Sequence, residues 1–285
     1  MITLENFQTQ LDSAELNAVM ESACRASLAS PIDTYRFMQR FVHYARAYSA
    51  LVPQLCSAIG CSSFFNDSNS PFSAHAERSM DVAAKVFTAS IEEFYDPRTG
   101  VSHRTLSYAL LDKLAEYAGL SAIDVARLSS PEGWLSEVLA MVETGYGATS
   151  DDLASLVRAM GFHAAAETIG ENECSIINSV LFTEQRHTAF GDFIRRSKVA
   201  FAEGTVSPWY WIVIHGTETT TGIEVEHAAD ALDALNRVVA YSRLSEEQVV
   251  DLAGRGFALF SQVQTAFFSN AQKELELRPL QLVMA

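Results

Sequence analysis

An all-α bundle is the fold class that three features of this 285-residue sequence predict: helix-spaced apolar stripes, scarce breakers and well-marked helix stops. Only 14 glycines and 7 prolines punctuate the chain, too few for the many turns of a sandwich or propeller. Hydrophobic residues make up 48% and charged residues 19%, the latter below the roughly 25% of an ordinary soluble domain. With a mean hydropathy of +0.07, disorder is disfavoured and long helices around one large core are expected.

The elements follow in order. A first helix spans 5–29, and Pro31 with Asp33 and Thr34 starts a second whose apolar face runs through Phe37, Phe41, Tyr44 and Tyr48. Pro53 should kink or end it. Turn-forming residues around Phe64 and Phe65 predict an ordered loop over 61–71, followed by a third helix over 74–95. Asp96-Pro97-Arg98-Thr99-Gly100 is a turn, and Ser102 caps a fourth helix over 103–118 closed by Gly119. Shorter helices are expected over 121–128 and from Pro131 to Glu143. Ser150, Asp151 and Asp152 cap a helix to about residue 168, which Gly170 separates from a long helix over 171–203. Pro208 opens another long helix to residue 243, and Ser245-Glu246-Glu247 caps the last, to residue 276. The run from Trp209 to Ile214 has strand propensity but no partner strand, so it is assigned to helix.

No linker divides the sequence, so residues 1–285 read as one domain. The 35 acidic and 20 basic side chains give a net charge of −15 and a pI near 4.8. Such a surface repels polyanions, which argues against nucleic acid and anionic membranes as partners. Cys24, Cys56, Cys61 and Cys174 lack CxxC spacing and disulfide-scaffold density, so they read as reduced thiols. With no basic-then-apolar N-terminal segment and no bilayer-spanning run, the expected location is the cytoplasm.

Candidate chemistry sits where carboxylates and histidines fall on apolar stripes. Glu184 and His187 share a stripe with Ile177 and Gly191, making an inward Glu-x-x-His pair. Glu224 and His227 form a second such pair, on a stripe with Thr220, Ala231 and Leu235. Glu93 lies on a stripe with Val82 and Val86, and His103 on one with Leu106, Leu110 and Leu114. Burying this many ionisable groups costs several kcal/mol each unless they are paired or bound to metal. Carboxylate with imidazole suits iron or manganese, and Glu-x-x-His pairs on facing helices are one way bundles hold two such ions. His43, His75, His163 and His215 read as structural, and Trp209, Tyr210 and Trp211 as core aromatics.

Two stretches carry a family resemblance. One runs from Ile91 through Glu93 and the Asp96–Gly100 turn to His103 and its helix; the other is Gly222-Ile-Glu-Val-Glu-His-Ala-Ala-Asp-Ala-Leu232. With the Phe37 to Tyr48 stretch, they resemble the haem-oxygenase-like diiron oxidases and oxygenases, including the CADD-like proteins. The resemblance implies a haem-oxygenase-like (TenA/CADD-like) helical bundle with metal ligands at Glu93, His103, Glu184, Glu224 and His227. The family's final-helix pattern is His-x-x-x-Asp-x-x-His; here Thr220 stands at the first His and Glu224 at the Asp. Either His187 supplies the missing imidazole or one site is weak or empty.

The function so implied is that of a nonhaem, O2-dependent oxygenase or oxidase with two iron ions, manganese being the alternative metal. Its partners would be O2 and a small organic substrate such as an amino acid or fatty acid, and a homodimer is compatible with the composition. For a substrate carboxylate the candidate arginines are Arg104, Arg186, Arg195 and Arg196. Two rivals stand beside it: a ferritin-like carboxylate diiron bundle, and a catalytically inactive helical binding or interaction protein of the same fold.

Overall fold

The computed structural model describes residues 1–10, 13–65, 71–130, 132–216 and 223–277. Its α-helices, in chain order, are α1 (Ser13–Ser27), α2 (Pro31–Gly60), α3 (Phe72–Phe94), α4 (His103–Tyr117), α5 (Ala122–Leu128), α6 (Gly133–Tyr146), α7 (Leu153–Asn178), α8 (Ala189–Arg196), α9 (Tyr210–Ile214), α10 (Ile223–Tyr241) and α11 (Glu246–Leu277). The fold is therefore an all-α bundle, as the stripes predict. A two-residue antiparallel pair, β1 (Val199–Ala200) with β2 (Thr205–Val206), is the exception among the described residues. None of the described helices is long and apolar enough to cross a membrane.

The predicted N-terminal caps at Ser102 and Asp152 are real, and Ser121, expected as the first residue of its helix, caps it: each side chain accepts a backbone N–H of the first turn. Gly119 closes α4 at φ +65°, a left-handed conformation that glycine adopts without penalty. Five expectations change. The first helix begins later, a 3-10 segment occupying Leu4–Gln10. Helix α2 continues through Pro53, and α7 continues through Gly170, so packing outweighs the local cost of each breaker. The predicted helix over 171–203 leaves α-geometry at Asn178, passes through a π-helical segment, Ser179–Thr183, and re-forms as the short α8. The predicted helix from Pro208 is likewise split, into α9 and α10.

The core centres on α2, α7 and α11. Tyr44 of α2 stacks on Phe267 of α11 with ring centroids 4.4 Å apart, and Phe41 packs against Phe267, Phe268 and Trp211. Helices α7 and α11 touch backbone to backbone at Gly161 and Gly256, where a Cβ on either would collide with the opposite main chain. An ion-pair ladder ties α3 to α10. Lys85 Nζ lies 2.6 Å from Asp230 and 3.4 Å from Asp233, while Arg237 pairs with Asp81 and Asp233. The ladder holds the helix bearing Glu93 beside the helix bearing His227.

Candidate metal centre

Glu93 lies at the C-terminal end of α3 and His103 at the first position of α4, and the turn between them is tightly specified. The Asp96 carboxylate accepts from the backbone N–H groups of Arg98 and Thr99, from the Thr99 hydroxyl and from the Tyr210 hydroxyl, at 2.8–3.0 Å. Gly100 takes φ +71°, and the Asp96–Val101 bridge closes the turn. His103 thereby faces back toward Glu93, with Nδ1 3.0 Å from Oε1.

A third residue completes the group. His215 follows α9, whose position is fixed from two sides: Trp209 Nε1 donates to Asn178 Oδ1 at 3.0 Å, and Tyr210 donates to Asp96. His215 Nε2 lies 3.2 Å from the same Glu93 Oε1, and its ring packs on that of His103 at 4.7 Å. One ligand atom from each of Glu93, His103 and His215 lies within 4.8 Å of the others. Donors about 2.0–2.2 Å from a shared ion sit roughly 3 Å apart, which the 3.0 and 3.2 Å separations of the two imidazole nitrogens from Glu93 Oε1 match.

The His215 hydrogen bonds sharpen the point. Its Nδ1 lies 2.7 Å from the Trp211 carbonyl oxygen, which can only accept, so Nδ1 carries the hydrogen. Nε2 then points a lone pair at a carboxylate oxygen unless a second proton or a cation lies between them. Anchoring one ring nitrogen on a backbone carbonyl is how proteins commonly orient the other toward a metal. Burial by itself would raise the Glu93 carboxyl, but hydrogen bonds that His103 and His215 donate when protonated overcome it and hold the group well below the usual carboxylate range.

A second group lies across the same cavity. His227 of α10, buried, brings Nδ1 to 3.6 Å from Glu167 Oε2, and His163, one turn before Glu167 on α7, brings Nδ1 to 3.5 Å from Oε1. The Tyr146 hydroxyl lies 3.3 Å from His163 Nδ1. Burial, then the neighbouring His227, push His163 down to about 3, so it is neutral at ordinary pH. Glu93, His103, His215, Glu167 and His227 line a cavity of about 120 Å³ walled also by Phe41, Tyr48, Val52, Trp211 and Phe260. Two arginines also reach its wall. Arg46 Nη1 donates to the Tyr108 hydroxyl at 2.6 Å, and the Arg104 guanidinium lies 5.9 Å from the centre of the Tyr108 ring.

Of the sequence-predicted ligands, the structure brings together Glu93 and His103 and places His227 on the same cavity. The side chain of Glu224 and all of Thr220 lie outside the described residues. Glu184 and His187 are corrected. The π-helical segment just before them advances the chain by one extra residue per turn, so the 3.6-residue stripe that pointed them inward ends at Ile177. Glu184 instead forms a two-pronged pair with Arg25 at 2.8 and 3.0 Å on the surface, and the exposed His187 accepts from Arg186. The exposed Arg186, Arg195 and Arg196 belong to that same surface segment, leaving Arg104 as the arginine of the predicted set on the cavity. Sequence reasoning treated His215 and His163 as structural and passed over Glu167. The signal for the last was present as His163-x-x-x-Glu167, a helix-spaced pair.

The chain is similar to a crystal structure of a CADD-like protein of unknown function from Nostoc punctiforme PCC 73102, with 17% identity and a TM-score of 0.48; the match covers 92% of this chain and 99% of that one. No family model and no curated protein matches.

Proposed function

We propose that this chain is a nonhaem iron protein that uses O2 to oxidise a small organic acid. The observation that carries the reading is the convergence of His103 Nδ1 and His215 Nε2 on one oxygen of Glu93, with the far side of the His215 ring anchored on a carbonyl. A nitrogen and oxygen donor set without thiolate suits iron or manganese. Glu93, His103 and His215 would hold one ion. Glu167 and His227 would hold a second, with Glu224 following from its place one turn before His227 on α10. Iron bound there supplies the electrons that reduce O2.

The remaining work falls to the chain itself. Phe41, Val52, Trp211 and Phe260 give the cavity an apolar wall that excludes bulk water and strengthens every charge inside it. Arg46 and Arg104, brought together on Tyr108, have no carboxylate partner among the described residues, in a chain with 15 more acidic than basic side chains. They offer a fork for a substrate carboxylate. Their charge is felt nearby: burial first, then Arg46, Arg40 and Arg104, push His43 down to about 4.

The test is anaerobic reconstitution with ferrous iron, followed by metal analysis and O2 uptake. Stoichiometric iron and uptake that rises with added carboxylic acids support the reading. Protein that retains neither iron nor manganese would overturn it in favour of a helical binding protein.

A further inference from the structure

Three glutamates line the cavity, and they are not equivalent. Glu93 faces two imidazoles, and Glu167 lies within 3.6 Å of two more. Glu173, on α7 beyond Glu167, is 8% exposed, and its one hydrogen-bond partner among the described residues is a neutral amide, Gln264 of α11, whose Nε2 donates to Oε2 at 2.9 Å. Elsewhere the fold treats a buried glutamate differently: Glu274 receives the Arg40 guanidinium at 3.0 and 3.2 Å. A buried carboxylate without a cation is costly, and the group avoids the cost by keeping its proton. The amide supplies a second observation: Gln264 Oε1 is buried without a hydrogen-bond partner among the described residues, so the pair brings no cation and leaves an acceptor open to a donor.

We propose that Glu173 is a neutral carboxylic acid that serves as the proton donor of this cavity, giving its proton to oxygen as O2 is reduced there. The assignment rests on the reading of the cavity as an O2 site. The acid O–H bond breaks, a new O–H bond forms on the reduced oxygen, and the electrons come from ferrous iron. The carboxylate left behind keeps the Gln264 hydrogen bond and is reprotonated from water. Titratable groups facing Glu173 are Tyr44 and Tyr48 of α2, Cys24 of α1 and His215 after α9. The tyrosines and Cys24 are pushed up mainly by burial and stay neutral, so they do not neutralise a carboxylate. Burial raises Glu173 to about 8, against weaker lowering by Gln264 and His215, which places it near the operating range of a general acid.

Infrared difference spectroscopy of the metal-free protein against Glu173→Gln tests the protonation without using activity. At pH 6.5 the wild type should show a protonated-carboxyl C=O band that shifts in D2O, fades as pH rises through about 8 and is missing from the variant. Absence of that band overturns the proposal. In iron-loaded protein, Glu173→Gln should retain its iron and slow O2 uptake by about 100-fold, the usual order for a lost general acid. Uptake at the wild-type rate overturns the proton-donor role, as does loss of iron from the variant, which would make Glu173 a ligand. Wild-type protein that binds no iron would instead sink the O2 reading itself, while the infrared band stands or falls independently.

Discussion

Glu93 and Glu184 were read from sequence as the same kind of residue, and the molecule uses them in opposite ways. Glu184, its side chain 40% exposed, is matched by Arg25, a permanent cation that satisfies both carboxylate oxygens. Glu93 is matched by two imidazoles, which are cationic only when protonated and otherwise present lone pairs. A carboxylate on arginine is complete; a carboxylate on two histidines is complete only with protons or a metal. The contrast is broken most decisively by metal titration. Glu93→Ala or His215→Ala should weaken iron binding by at least about 100-fold, since losing a partner that merely orients a ligand already costs 10–100-fold. Glu184→Ala should leave binding unchanged. Equal loss in both, measured by calorimetry or iron stoichiometry, would return Glu184 to the site.

The cavity glutamates make a second contrast, in pH rather than metal. Glu93 titrates below its ordinary value of 4.5 in the folded protein, so its contribution is present above that pH and is lost as pH falls through the lowered value. Glu173 titrates above 4.5, near 8, so its protonated form stabilises the fold fully below pH 4.5 and that contribution declines as pH rises from there toward 8. At most one proton is involved in each, so neither slope should exceed ~1.4 kcal/mol per pH unit. Denaturant melts of metal-free protein from pH 3 to 9 should show both limbs. Glu93→Gln should flatten the acid one and Glu173→Gln the other. A wild-type curve with no decline between pH 5 and 8 would contradict the neutral Glu173.

How far the sequence reached depended on how locally each feature is encoded. Glu93 and His103 were legible because ten residues, a self-bonded Asp96 turn and the Ser102 cap fix their relation without help from the rest of the chain. His227 was legible because α10 keeps an unbroken 3.6-residue stripe after it. His215 was not. It reaches the site through two contacts remote in sequence, Trp209 with Asn178 and Tyr210 with Asp96, and the aromatic run before it reads as core. Glu167 was legible as the partner of His163 one turn earlier but was passed over, whereas Glu173 was cut off from α7 by the break assigned at Gly170. A mid-helix glycine costs only about 1 kcal/mol, which the packing of α7 on α11, α10 and α1 readily offsets. Glu184 failed in the opposite direction, since periodicity carried through a π-helical segment no longer reports which side faces inward.

The smallest expected effect is also the sharpest check on that last error. If Glu184 and Arg25 form only a surface pair, Arg25→Ala, Glu184→Ala and the double variant should each leave the unfolding midpoint almost unchanged, with the two single effects nearly additive. Their hydrogen bond raises Arg25 and lowers Glu184, but both lie in solvent, where water and salt screen the attraction. The coupling should therefore shrink further between 0.05 and 0.5 M salt in a double-mutant cycle. A strong coupling that resisted salt would mean that the segment from the π-helix to α8 closes over this pair, and that Glu184 belongs to the interior after all.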